Sequence, residues 1–247
     1  MSPDARRTKR PRARRYDSAE SLPSASHATR GSKGSRRDEL SLGSLLSSWV
    51  LSPYLAFLLL TGIGVAILRL DHQLRLTVLW LVLLGLVLLY GNSRPLKGNY
   101  GLLNLARGAL LGTVVALPFF LVGQDFFHAT ASRLYGIDDL QVLLERAVFL
   151  VPILEESYFR GVVQRERGLL DGAVLFGLAQ GLYFISAVSI FPLVIAGVVL
   201  GSVLLGLLYG YVCQRYGLTA SIGCHVAVNL MLFVLPSLLQ GVGGLLA

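Results

Sequence analysis

The residues of this sequence best placed to do chemistry are ionisable and amide side chains that lie inside apolar runs. One run reads Val151-Pro152-Ile153-Leu154-Glu155-Glu156-Ser157-Tyr158-Phe159-Arg160-Gly161. Glu156 and Arg160 stand four apart, share a helix face and can pair. Glu155 points about 100° away from Glu156 and has no partner on its own helix. It is the carboxylate left free to take a proton, which is what a general base does. A second run carries Gln180. A third carries His225 and Asn229, again four apart on one face, and a His–Asn pair in an apolar stretch lines a polar site. Charges of this kind cost at least about 2.5–3.5 kcal/mol each on insertion into a membrane, so they mark function. An anchoring cluster that snorkels to the headgroups would not need two acids and an arginine at this depth.

The chain that must position these groups is 54% hydrophobic and 15% charged, with a mean hydropathy of +0.64. Soluble domains carry roughly 25% charged residues. Of the 22 Lys and Arg, eleven fall before residue 40, with five of the 14 acids. A basic polar tail therefore precedes a very apolar body, which excludes a soluble enzyme and a fibrous protein. Two cysteines cannot staple a chain of 247 residues, which excludes a disulfide scaffold. The fold class expected is all-α, a polytopic membrane bundle of about seven spans in the cell membrane.

Residues 1–43 are rich in Arg, Ser, Gly and Lys and read as a disordered cytoplasmic tail. Its charge of +6 suits anionic lipid headgroups, at about 1 kcal/mol per basic residue near the surface. No aromatic interleaving accompanies it, so no nucleic acid is expected as a partner. The basic stretch is too long, and the apolar run after it too extended, for a cleavable signal peptide. A spanning helix needs about 20 apolar residues. Candidates cover about 45–68, 76–90, 102–122, 138–163, 173–185, 191–212 and 220–239, the fifth being the shortest. Residues 44–135 form an N-terminal membrane region, and 136–247 hold the candidate chemistry.

With the tail inside, Arg94, Lys97, Arg165, Arg167 and Arg215 fall on the inner side. Arg69, Arg75 and Arg133 fall outside together with Asp71, Asp125, Asp138 and Asp139, which leaves the usual excess of basic residues on the inner side. Counted from the inner boundary, Glu155, Gln180 and His225 each lie roughly 10–14 Å deep. Three antiparallel spans thus bring an acid, an amide and a His–Asn pair to one level.

These motifs resemble the CAAX-protease and bacteriocin-processing family (CPBP, also called Abi). The family pattern is Glu-Glu-x-x-x-Arg, then Phe-x-x-x-His, then His-x-x-x-Asn or Asp. The first reads here Glu155-Glu156-Ser157-Tyr158-Phe159-Arg160 and the third His225-Val226-Ala227-Val228-Asn229. The likeness covers about residues 140–235. It implies an intramembrane endopeptidase acting on a peptide or membrane-protein substrate, with Glu155 activating water. It also implies that His225 and Asn229 stabilise the oxyanion and that Glu156 and Arg160 orient the helix.

The second motif departs from the pattern. Phe176-Gly177-Leu178-Ala179 is followed by Gln180, which can position water but cannot take up a proton. Loss of a general acid–base group typically costs about 10²–10⁴ in rate. The resemblance therefore admits a second reading, a pseudoprotease that keeps the cavity as a binding or regulatory protein. A proton-coupled transporter ranks below both, because no inverted repeat is visible. A peptidase would also need a cavity open to the cytoplasm between the fourth, fifth and seventh spans. No cofactor is firmly implied. Zinc is the metal that the family's metalloprotease label raises, but Glu, Gln, His and Asn offer one strong nitrogen ligand. Cys213 and Cys224 read as small core residues rather than ligands.

Overall fold

The computed structural model describes residues 52–93, 101–135, 140–185 and 192–246. The basic tail, residues 45–51 of the first apolar run, Arg94, Lys97, Asp138 and Asp139 lie outside the described residues. Within them every element is a helix. Helix α1 is Pro53–Ala66, α2 is His72–Ser93 and α3 is Leu102–Tyr135. Helix α4 covers 140–167, α5 is Leu169–Tyr183, α6 is Pro192–Tyr216 and α7 covers 218–246.

The side chains are sorted in the opposite sense to those of a water-soluble protein. Leu81, Leu110, Val122, Leu200 and Leu204 are each more than half exposed, whereas Arg75, Glu155, Glu156, Arg160 and His225 are buried. Such an exterior is stable only against lipid, where helices also satisfy their own backbone groups. Among the described residues four helices are long and apolar enough to cross a membrane: α2, α3, α6 and α7. The chain folds as an all-α membrane bundle. Helices α1 and α5, with 14 and 15 residues, reach only about 21–23 Å at 1.5 Å per residue.

Several boundaries differ from the sequence reading. Helix α2 starts at His72, four residues before the expected Leu76, because the Asp71 carboxylate accepts the Gln73 backbone N–H and caps the first turn. Helix α3 does not end at Val122. Gly123 leaves helical geometry there (φ −116°, ψ 21°), but the chain resumes and runs to Tyr135. A kink at glycine bends a helix without stopping it. Helices α4 and α5 meet at Gly168, whose φ of 101° only glycine adopts readily. Helix α5 therefore begins at Leu169 rather than near Ala173.

Two helix pairs approach closely at glycines. A Cβ on Gly108 or Gly112 of α3 would overlap the carbonyl oxygens of Ala220 or Cys224 on α7. A Cβ on Gly177 would lie 2.8 Å from the Val199 carbonyl oxygen, and one on Gly206 3.0 Å from the Ala173 Cα, which locks α5 against α6. In lipid, small residues spaced by four let backbones touch and gain packing where no hydrophobic force acts between helices. Each of α5 and α7 carries site residues, so these contacts set the site's dimensions.

Candidate active site

Helix α4 is an α-helix over Val151–Tyr158, flanked by π-helical turns at Glu145–Leu150 and Phe159–Gln164. A π turn leaves backbone groups in altered register and recurs at functional sites. The eight-residue α segment between the two turns carries Glu155 and Glu156, and neither acid has any exposed surface.

Glu156 is the electrostatic hub. Arg160 Nε sits 3.2 Å from its Oε2, and His225 Nδ1 3.0 Å from its Oε1. The Ser221 hydroxyl donates to the same carboxylate and also lies 2.9 Å from the Tyr209 carbonyl oxygen. Arg160 donates to the Gly206 carbonyl at 2.9 Å and lies over the Phe176 ring at 4.4 Å, so the face of its guanidinium is covered as well. A carboxylate that pairs with a guanidinium and also receives a hydroxyl donor is the ionised partner that a buried arginine requires.

Glu155 faces the other way, as a 100° step along the helix requires. Gln180 Nε2 lies 2.9 Å from both of its oxygens, and the Tyr183 hydroxyl bonds it from one turn further along α5. His225 Nε2 is 3.8 Å from Glu155 Oε2. One imidazole thus lies between the two acids, with Nδ1 on Glu156 and Nε2 towards Glu155. Its ring stacks on Tyr209 at 4.6 Å and 16° and meets the edge of Phe176 at 5.8 Å, which fixes the ring plane.

The structure brings Glu155, Glu156, Arg160, Gln180 and His225 into one contiguous cluster. Asn229 stands apart from it in its bonding. Its amide donates to the Ala147 carbonyl at 2.7 Å, inside the first π turn of α4, so that N–H is committed to the backbone. Gln180 is eleven residues from Leu169 and Glu155 twelve from Arg167, so the two lie at about the same distance, 16–18 Å, along their helices from the Gly168 turn. Glu155 itself has no exposed surface. Gln180, half-buried, is the edge of the cluster nearest the exterior.

Sequence reasoning missed three participants. Ser221 lies one helical turn before His225, and Tyr183 one turn after Gln180, so spacing alone could have flagged both. Tyr209 carried no such signal, because its ring meets His225 only through the α6–α7 contact. Arg75, expected in an outer loop, is instead buried in α2 and donates to the Tyr183 carbonyl at 2.8 Å. It caps the C-terminal end of α5 one turn from Gln180, where a cation meets the negative end of the helix dipole.

Cys213 and Cys224 are free thiols. Among the described residues no three His, Cys, Asp or Glu side chains are arranged so that they could hold a metal ion.

Residues 139–231 match the sequence profile described as Type II CAAX prenyl endopeptidase, Rce1-like. No curated protein and no solved structure gave a match. The matched stretch holds every residue of the cluster, from Glu155 to His225, and Asn229 as well. By this match residues 139–231 are similar to the CPBP, or CAAX-protease, family.

Proposed function

We propose that this chain is an intramembrane endopeptidase that hydrolyses a peptide bond with a water held by Glu155. The observation that carries the proposal is the pairing of the two acids. Glu156 is neutralised by Arg160, while Glu155 meets only uncharged donors at hydrogen-bond distance and is left as an acceptor. A water bound to Glu155 would lose a proton to it as its oxygen attacks the carbonyl carbon of the substrate. Gln180 fits a positioning role, because both of its contacts to Glu155 use its Nε2. We assign the basic tail to anionic headgroups on the cytoplasmic side, on its charge alone, and the substrate is a membrane protein or a peptide at the membrane.

The test compares protein termini in membrane fractions of cells expressing the native chain and its Glu155→Ala variant. Termini present with the native chain and absent with the variant are expected, at equal amounts of folded protein. Identical termini would instead favour the pseudoprotease. That second reading draws on one specific observation, the full burial of Glu155 under a glutamine that cannot carry a proton.

Zinc does not suit this donor set. Hydrolytic zinc sites usually use three protein ligands, and a cation beside Glu155 would find His225 Nε2 and the Gln180 N–H group, which repels it. Elemental analysis of purified protein is expected to show well under one zinc per chain. One zinc per chain, lost together with activity on chelation, would overturn this.

A further inference from the structure

We infer that His225 is the second proton-transfer group of this site, in place of the histidine that Gln180 replaces. The inference rests on the peptidase reading above and assigns His225 a different task from oxyanion binding.

The tautomer follows from the neighbours. Glu156 is ion-paired with Arg160 and accepts from Ser221, so it is ionised and can only accept from His225. The Nδ1 atom must then carry the imidazole proton, and a neutral ring leaves Nε2 with a bare lone pair. Stacking on Tyr209 and the edge of Phe176 prevent the ring from turning to exchange the two nitrogens. The Nε2 atom is directed at Glu155 Oε2 across 3.8 Å. That gap is somewhat beyond direct transfer at about 2.6–3.2 Å but is closed by one shared water or by a shift of under 1 Å. A bare Nε2 accepts a proton; it cannot donate to an oxyanion until it has gained one.

The cycle closes without another reactant. Water gives a proton to Glu155 while its oxygen bonds to the substrate carbonyl carbon, and the carbonyl π pair moves to oxygen. The proton passes from Glu155 Oε2 to His225 Nε2, and the imidazolium is balanced by the Glu155 carboxylate that has just lost the proton, since Glu156 is already paired with Arg160. His225 then gives that proton to the amide nitrogen as the C–N bond breaks with its electron pair on nitrogen. The oxyanion pair re-forms the carbonyl, leaving a carboxylic acid and an amine, with Glu155 and His225 restored.

The experiment follows Glu155-dependent termini in membrane fractions from cells expressing the native chain, H225Q, and H225Q combined with Q180H. Glutamine keeps an N–H donor at 225 but cannot hold the proton. H225Q is expected to lower the yield of these termini by at least about 10²-fold. Q180H in the same chain is expected to restore a measurable part, because it returns an imidazole to Glu155. Termini that persist in H225Q within about threefold of the native level would overturn the role of His225 and leave the peptidase reading standing. If no termini depend on Glu155 in the native chain, the peptidase reading fails and this role falls with it. A measurement on the native protein covers failure of H225Q to fold. In ¹⁵N-histidine-labelled protein at neutral pH, His225 is expected to be protonated at Nδ1 and bare at Nε2, and the opposite tautomer would overturn the inference.

Discussion

Glu156→Gln is expected to cost about 3–5 kcal/mol of stability, the range found when one partner of a buried ion pair is removed. Glutamine keeps one oxygen that can accept from Ser221, but its amide NH2 then faces His225 Nδ1, so the substitution removes the charge together with one acceptor. What remains is a guanidinium with no side-chain exposure, held by the Gly206 carbonyl and the Phe176 and Tyr209 rings but with no counter-ion. Burying an uncompensated cation is the expensive step. Replacing both partners, as Glu156→Gln with Arg160→Met, is expected to recover most of the loss, since an unbranched thioether packs well against those rings. Equilibrium unfolding of the three variants in a denaturing detergent titration measures the difference. A Glu156→Gln protein within about 1 kcal/mol of native would show that the arginine finds water or another anion, and the hub described above would be wrong.

The same pair shows how much of the site was legible in the sequence. Glu156, Arg160 and the unpaired Glu155 follow from 3.6-residue periodicity within one helix, and the structure places them as that arithmetic requires. Grouping Glu155, Gln180 and His225 needed only helix rise and an antiparallel topology. The bonds themselves were not legible. That His225 lies between the two acids, and that Asn229 turns to Ala147, depend on π-helical turns that shift the face of α4 and on how closely α7 approaches it. No periodicity argument anticipates a π turn, because the sequence 145–150 reads as ordinary helix. The helices as apolar runs were plain, but their ends were not. Arg75 belongs to α2 rather than to a loop because a carbonyl at the end of α5 makes its burial tolerable, a contact 108 residues distant in sequence.

The largest structural effect is expected at the contact that sets the position of His225. Gly112→Ala adds one methyl group to α3, where it would overlap the Cys224 carbonyl oxygen and meet the Ala227 Cβ at 3.1 Å. Neither obstacle is the end of a flexible side chain, so the helices must part by about 1 Å to reach ordinary van der Waals separation. Overpacking of this kind typically costs about 1–3 kcal/mol. The functional cost should exceed the stability cost. Cys224 immediately precedes His225, and the gap between Nε2 and Glu155 is already 3.8 Å. A displacement of 1 Å at a reacting group can lower a rate by about 10²-fold. Gly85→Ala supplies the control, since a Cβ there meets nothing within 4 Å and alanine favours the helix. The expected pattern is a Gly85→Ala protein like the native one, and a Gly112→Ala protein that still accumulates but has a lowered unfolding midpoint and yields almost no Glu155-dependent termini. Native yields of those termini from Gly112→Ala would mean that α7 can yield by 1 Å without moving His225, and that the close approach of α3 does not fix the distance between the imidazole and the acid.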